Sequence, residues 1–78
     1  MNFTIYSKDG CPFCSQVKKV LELAKLQHVV YDLNTDFNRD EFYEEFGKGA
    51  TFPQVTCNGK KLGGCTDTVK YLREHNFV

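Results

Sequence analysis

The chain has 78 residues, which gives room for a single small domain over residues 1–78. Ten Lys and Arg balance ten Asp and Glu, so the formal net charge is zero and the basic excess typical of nucleic-acid binders is missing. There is no export signal, no lipidation motif and no apolar run long enough to span a bilayer, so a cytoplasmic protein with no membrane partner is expected.

Residues 2–6 alternate, with Phe3 and Ile5 on one face, and predict a short strand. Ser7-Lys8-Asp9-Gly10 reads as a polar loop. Pro12 suits a first helical turn, where its missing N–H has no intrahelical partner. Phe13, Val17, Val20, Leu21 and Ala24 then recur at helical spacing and predict a core-facing stripe. Val29 to Leu33 is β-branched and aromatic and predicts a second strand, parallel to the first through a right-handed crossover. Asn38 and Glu41 form a capping-box pattern ahead of an apolar face of Phe42, Tyr43 and Phe46, with Gly47 or Gly49 ending the helix. Gln54–Cys57 and Lys60–Leu62 flank Asn58-Gly59, a pair that favours a type I′ hairpin turn. Thr66 is the expected cap of a last helix that carries Val69 and Leu72 and extends over Tyr71 to Val78. Lys18, Lys19 and Lys25 are assigned to the first helix, and Asp36, Asp40, Glu41, Glu44 and Glu45 to the second; both sets read as solvated faces. The expected order is β-α-β-α-β-β-α, an α/β fold with a four-stranded mixed sheet flanked by three helices.

The chemistry centres on Cys11-Pro12-Phe13-Cys14. A sulfur at a helix N-terminus lies near the positive end of the helix dipole and near unpaired N–H groups, which favour thiolate over thiol. A second cysteine one turn on is placed to resolve a mixed disulfide. The pair reads as redox-active rather than as half of a zinc site, because Cys57, Cys65, His28 and His75 lack the spacing of a second ligand pair. Cys57 reads as a packed strand residue, and Cys65 as packed with side-disulfide formation or glutathionylation left open. Two further loops, Thr51-Phe52-Pro53 and Gly63-Gly64-Cys65-Thr66-Asp67, fall at the same end of the proposed sheet and can line one groove with the cysteines.

These three motifs, Lys-x-x-Cys-Pro-Phe-Cys, Thr-Phe-Pro-Gln-Val and Gly-Gly-Cys-Thr-Asp, stand in the order and approximate spacing of a glutaredoxin, which the chain resembles over essentially its whole length. The resemblance implies a thioredoxin-like fold and a monomer with no tightly bound cofactor. It also implies a glutathione-dependent thiol–disulfide oxidoreductase acting on protein disulfides and glutathionylated proteins, ribonucleotide reductase being one such substrate. Cys11 would be the nucleophile and Cys14 the resolving thiol. Lys8 would support the Cys11 thiolate or meet a glutathione carboxylate, although by composition alone it reads equally as a solvated loop lysine. Pro53 would be a cis-proline, with Phe52 offering its backbone to the tripeptide and Thr51 and Gln54 flanking that edge. Thr66 and Asp67 would receive the γ-glutamyl end, with Gly64 and Cys65 allowing close backbone approach. Phe13 stands where the family usually has Tyr, and Phe52 where Val is commoner. Two other readings go with the resemblance: an electron donor fed by a thioredoxin-reductase-type flavoenzyme, and a glutathione-ligated 2Fe–2S carrier, which Pro12 disfavours.

Overall fold

A computed structural model of the protein describes residues 2–77. Its first strand, β1, spans Phe3–Ser7, one residue later than the alternation of residues 2–6 predicts. Ser7 therefore belongs to the strand and not to the polar loop. The ladder explains this: Ser7 pairs with Asp32, and its carbonyl accepts from the Leu33 N–H at 2.9 Å. Backbone pairing has outweighed the turn preference of the Ser side chain.

Helix α1 spans Pro12–Leu23, with Pro12 in its first turn and Cys11 as N-cap. Its buried stripe is Cys14, Val17 and Leu21. Phe13, read both as part of the core stripe and as a glutathione-groove residue, is 58% exposed and off the core face, because the stripe is displaced by one residue toward the second cysteine. Strand β2, His28–Asp32, lies parallel to β1 as the crossover requires. Helix α2, Arg39–Phe46, begins with the expected capping box: Asn38 Oδ1 accepts from the Glu41 N–H at 2.8 Å, and Glu41 Oε1 accepts from the Asn38 N–H at 3.0 Å. It ends at Gly47, whose φ of +99° suits a residue without a Cβ. Lys25 and Asp36 lie outside the helices to which the sequence assigned them, Lys25 past the end of α1 and Asp36 in the loop before α2. There the Asp36 carboxylate accepts from the Asp32 N–H at 2.8 Å.

Strands β3, Gln54–Cys57, and β4, Lys60–Gly63, form the hairpin, with positive φ at both Asn58 and Gly59 as the turn demands. The last helix, α3, spans Cys65–Glu74. Its N-cap is Gly64 and not Thr66, and no side chain caps it. Thr68, fully buried, instead donates its hydroxyl back to the Gly64 carbonyl at 2.8 Å. The helix stops at Glu74, four residues short of the expected limit; Val78 itself lies outside the described residues.

The sheet order is β2-β1-β3-β4, with β3 antiparallel to both neighbours. One face carries the core: Phe3 and Ile5 of β1 and Val55 and Cys57 of β3 pack with Val17 and Leu21 of α1 and Leu72 of α3. Each such side chain, fully buried, contributes about 1.5–3 kcal/mol. On the opposite face Tyr6 meets Tyr31, Phe37 and Phe46 at centroid distances of 5.6, 5.4 and 4.9 Å, so α2 is held to the sheet by rings. Substituting Asn38 by Ala removes one arm of the capping box. The expected cost is about 1 kcal/mol, read as a fall of roughly 4–8 °C in Tm by thermal unfolding.

Candidate active site

The β1–α1 turn delivers Cys11 to the N-terminus of α1, and Cys11 and Cys14 are joined as a disulfide with their Cα atoms 5.2 Å apart. Cys11 Sγ accepts from the Cys14 N–H at 3.2 Å. That N–H and the dipole of α1 both stabilise negative charge on this sulfur. The two cysteines differ in access: Cys11 is 8% exposed and Cys14 only 1%. Cys11 is therefore the sulfur of the pair more accessible to an attacking thiolate from solvent.

Beside the pair runs a groove of about 310 Å³ lined by Phe13, Thr51, Phe52, Pro53, Gln54, Gly63, Gly64, Cys65, Thr66 and Asp67. The second and third loops of the sequence analysis line this groove and the first reaches it through Phe13, while Cys11 and Cys14 are not among its lining residues. Phe13, on the solvent side of α1, forms one wall. The Phe52–Pro53 peptide bond is cis, and Pro53 is buried. Phe52 is fixed from behind by Phe42, the rings stacked at 4.1 Å and 9°. The Gln54 side-chain amide donates to the Thr51 carbonyl at 2.9 Å and closes the loop on itself. Lys8 does not line the groove; its ammonium lies 5.3 Å from the centre of the Phe52 ring, a cation–π contact at the rim.

The opposite wall is the first turn of α3. The first N–H there to find an intrahelical acceptor belongs to Thr68, so those of Cys65, Thr66 and Asp67 precede the hydrogen-bonded ladder, as in any helix N-terminus suited to an anion. Gly63, which the sequence analysis placed in a groove-lining loop but gave no contact of its own, does line the groove. Its φ is +112°, and a Cβ there would strike the Asp67 carboxylate, so Gly63 is the glycine that lets Asp67 fold against the loop. At Gly64, by contrast, a Cβ would stand 3.5 Å from the Pro53 carbonyl, an ordinary contact, so close approach does not require glycine there. The signal for Gly63 was the Gly-Gly pair itself, since a strand that ends against a helix start needs an abrupt turn.

Of the other cysteines, Cys57 is buried in the core and Cys65 is half-buried, its Sγ 4.0 Å from Gln16 Oε1. Burial pushes the Cys65 thiol up from its ordinary range, which makes it the poorer nucleophile at neutral pH. His28 opens β2, its Nδ1–H donating to the Leu26 carbonyl at 2.8 Å, and His75 caps the end of α3 with its ring 4.1 Å from that of Tyr71. Neither belongs to the groove.

This arrangement, a dithiol at the start of the first helix of a four-stranded mixed sheet, defines a thioredoxin-like protein. Residues 3–62 match the glutaredoxin family model. The chain is 35% identical over 77 residues to glutaredoxin-C6 of Oryza sativa subsp. japonica, covering 95% of this chain and 69% of that protein. It is 34% identical over 67 residues to a glutaredoxin of Ricinus communis, covering 82% of this chain and 66% of that one. The fold superposes on that of reduced Escherichia coli glutaredoxin with a TM-score of 0.84 at 21% identity, covering all of both chains. With a buckwheat glutaredoxin–glutathione complex the TM-score is 0.75 at 25% identity, covering 96% of this chain and 71% of that one. The chain belongs to the glutaredoxin family.

Proposed function

We propose that this protein is a glutathione-dependent thiol–disulfide oxidoreductase that reduces protein disulfides and glutathione mixed disulfides through Cys11 and Cys14. The observation that carries the reading is the groove beside the dithiol, which offers groups of the right sign for a tripeptide with two carboxylates and one ammonium. The free N–H groups at the start of α3 suit a carboxylate, Asp67 suits the ammonium, and Lys8 at the rim suits the other carboxylate. The backbone of Phe52 and Pro53, which line the groove, suits the extended peptide between them. The buckwheat relative, solved with glutathione, supports the same ligand.

In the cycle, the Cys11 thiolate attacks the glutathione sulfur of a protein–glutathione mixed disulfide. The S–S bond breaks, the target thiol leaves with its electron pair, and glutathione stays on Cys11. A second glutathione thiolate attacks that glutathione sulfur, releasing glutathione disulfide and regenerating the Cys11 thiolate. With a protein disulfide, Cys14 displaces the product and closes the Cys11–Cys14 bridge, which two glutathione molecules reopen. Members of this class have potentials of about −200 to −230 mV, within reach of the glutathione pool of a reducing cytosol, where we place the protein.

The test is reduction of a small glutathione mixed disulfide coupled to glutathione reductase, run beside the same assay with thioredoxin reductase as the electron source. Turnover with glutathione is the expected result. Turnover with the flavoenzyme alone would replace glutathione by that reductase.

A further inference from the structure

On the sheet face opposite the core lies a second hollow, of about 270 Å³, which shares no lining residue with the groove beside the dithiol. Its lining is of two kinds only, aromatic and acidic. Tyr6 of β1 is the central ring, and those of Tyr31, Phe37 and Phe46 stand at 59°, 71° and 67° to it. None of these three pairs is stacked, so the rings surround a space and do not fill it. The carboxylates come from Asp36, Glu41 and Glu45, all of them exposed. Among the described residues no Lys, Arg or His lines the hollow, although the whole chain carries as many cations as anions.

The face of an aromatic ring is negative and attracts a cation. Carboxylates at the mouth add full charge and strong hydrogen-bond acceptors. Burial, then the Glu45 carboxylate and then Tyr31, push the Tyr6 phenol up from its ordinary value, in keeping with a negative field there. The chain itself supplies one example of the pairing at the edge. The Lys61 ammonium stands 5.5 Å from the centre of the Phe46 ring and 3.8 Å from Glu45 Oε1. Asp36 and Glu41 have no Lys or Arg partner among the described residues. Each uses one oxygen on a backbone N–H, of Asp32 and of Asn38, and keeps the other.

We propose that this hollow is a docking pocket for an arginine side chain of a protein partner. A guanidinium is planar, so it can lie on a ring, and its five N–H donors can serve two carboxylates at once. A lysine ammonium is a compact, more strongly hydrated charge with no flat face to stack. A quaternary ammonium would leave the carboxylates without donors. The size points to one side chain, since sites for whole small molecules hold about 300–1,000 Å³. Arginine is also among the residues that anchor protein interfaces.

The probe is a blocked Gly-Arg-Gly peptide titrated into the isotope-labelled protein, with amide shifts as the readout. Saturable shifts at Tyr31, Phe37 and Glu45 are expected, with a Kd of about 1 mM, and weaker binding at higher salt. The same peptide with citrulline keeps the shape and loses the charge; it and the lysine peptide should bind about tenfold more weakly. Asp36→Asn with Glu41→Gln keeps an acceptor oxygen for the Asp32 and Asn38 N–H groups and so keeps the start of α2. That variant should also lose about tenfold, and Tyr31→Leu, which removes a ring that is 41% exposed, should lose about threefold. Equal affinity for citrulline or lysine, affinity unchanged in the double variant, no saturation by about 10 mM, or shifts confined to Thr66 and Asp67 would each overturn the proposal. Glutathione takes no part in the titration, so its outcome is independent of the assay that tests the groove.

Discussion

Cys11→Ser is expected to abolish the proposed glutathione-dependent turnover, whereas Cys14→Ser should keep the reduction of glutathione mixed disulfides and lose the reduction of protein disulfides. The expected fall for Cys11→Ser is on the order of 10³-fold or more in kcat/KM, about 4 kcal/mol of transition-state stabilisation. A serine hydroxyl at the start of α1 still accepts the Cys14 N–H, but it does not ionise at neutral pH, and the anion is the nucleophile. The asymmetry comes from burial and chain position together. Cys11 is the sulfur nearer solvent and the one held at the helix start, while Cys14 is sealed beneath it in the stripe that continues to Val17 and Leu21. In the proposed cycle a substrate sulfur meets Cys11, so Cys14 should be needed only to displace a protein product held on Cys11. Steady-state rates with a small glutathione mixed disulfide and with a protein disulfide, for both variants, separate the two roles. Loss of both activities in Cys14→Ser would show that the buried cysteine also takes part in the monothiol step.

Much of this site was legible because its signals are local. The capping box of Asn38 and Glu41 and the Asn58-Gly59 turn each depend on a few neighbouring residues, and the structure returns both. The order of strands followed from short connections, and with it the meeting of the Thr51–Pro53 and Gly63–Asp67 loops in one groove beside Phe13. What the sequence hid was set by tertiary geometry. Ser7 reads as loop because Ser, Asp and Gly mark turns, yet the ladder with β2 extends one residue further and buries it. Phe13 fits an apolar helical stripe, but rotation of α1 is fixed by Cys14, Val17 and Leu21 together, and that rotation turns Phe13 outward to the groove. Thr66 has the chemistry of a cap, but the chain enters α3 two residues earlier, through Gly64, and leaves Thr66 in the first turn. Lys8 was assigned by motif to the sulfur or a carboxylate, and its ammonium lies over a ring that no local pattern could place beside it.

That ring belongs to the least local part of the site, and the second large effect is expected there. Phe42 is 1% exposed and stacks on Phe52 at 4.1 Å, while Phe37 stands 5.8 Å from Phe42 and 6.2 Å from Phe52. Phe42→Ala should cost about 3–5 kcal/mol, the lost transfer energy of the ring plus the cavity it leaves. Part of that cost is the loss of its aromatic pairs, each worth about 0.5–1.5 kcal/mol beyond its buried area. Domains of this kind are held by about 5–15 kcal/mol in all, so the alanine variant should unfold at a much lower urea concentration than wild type. Phe42→Leu keeps much of the volume and remains folded, which isolates the effect on the groove. Without an aromatic face behind it, Phe52 is no longer held at one angle, and the glutathione edge beside Pro53 loses its backing. The leucine variant should therefore show a raised KM for glutathione with kcat nearly unchanged, since Cys11 and its N–H donor lie on α1 and are not touched. A fall in kcat at unchanged KM would instead tie Phe42 to the chemistry of the dithiol and detach it from the groove wall.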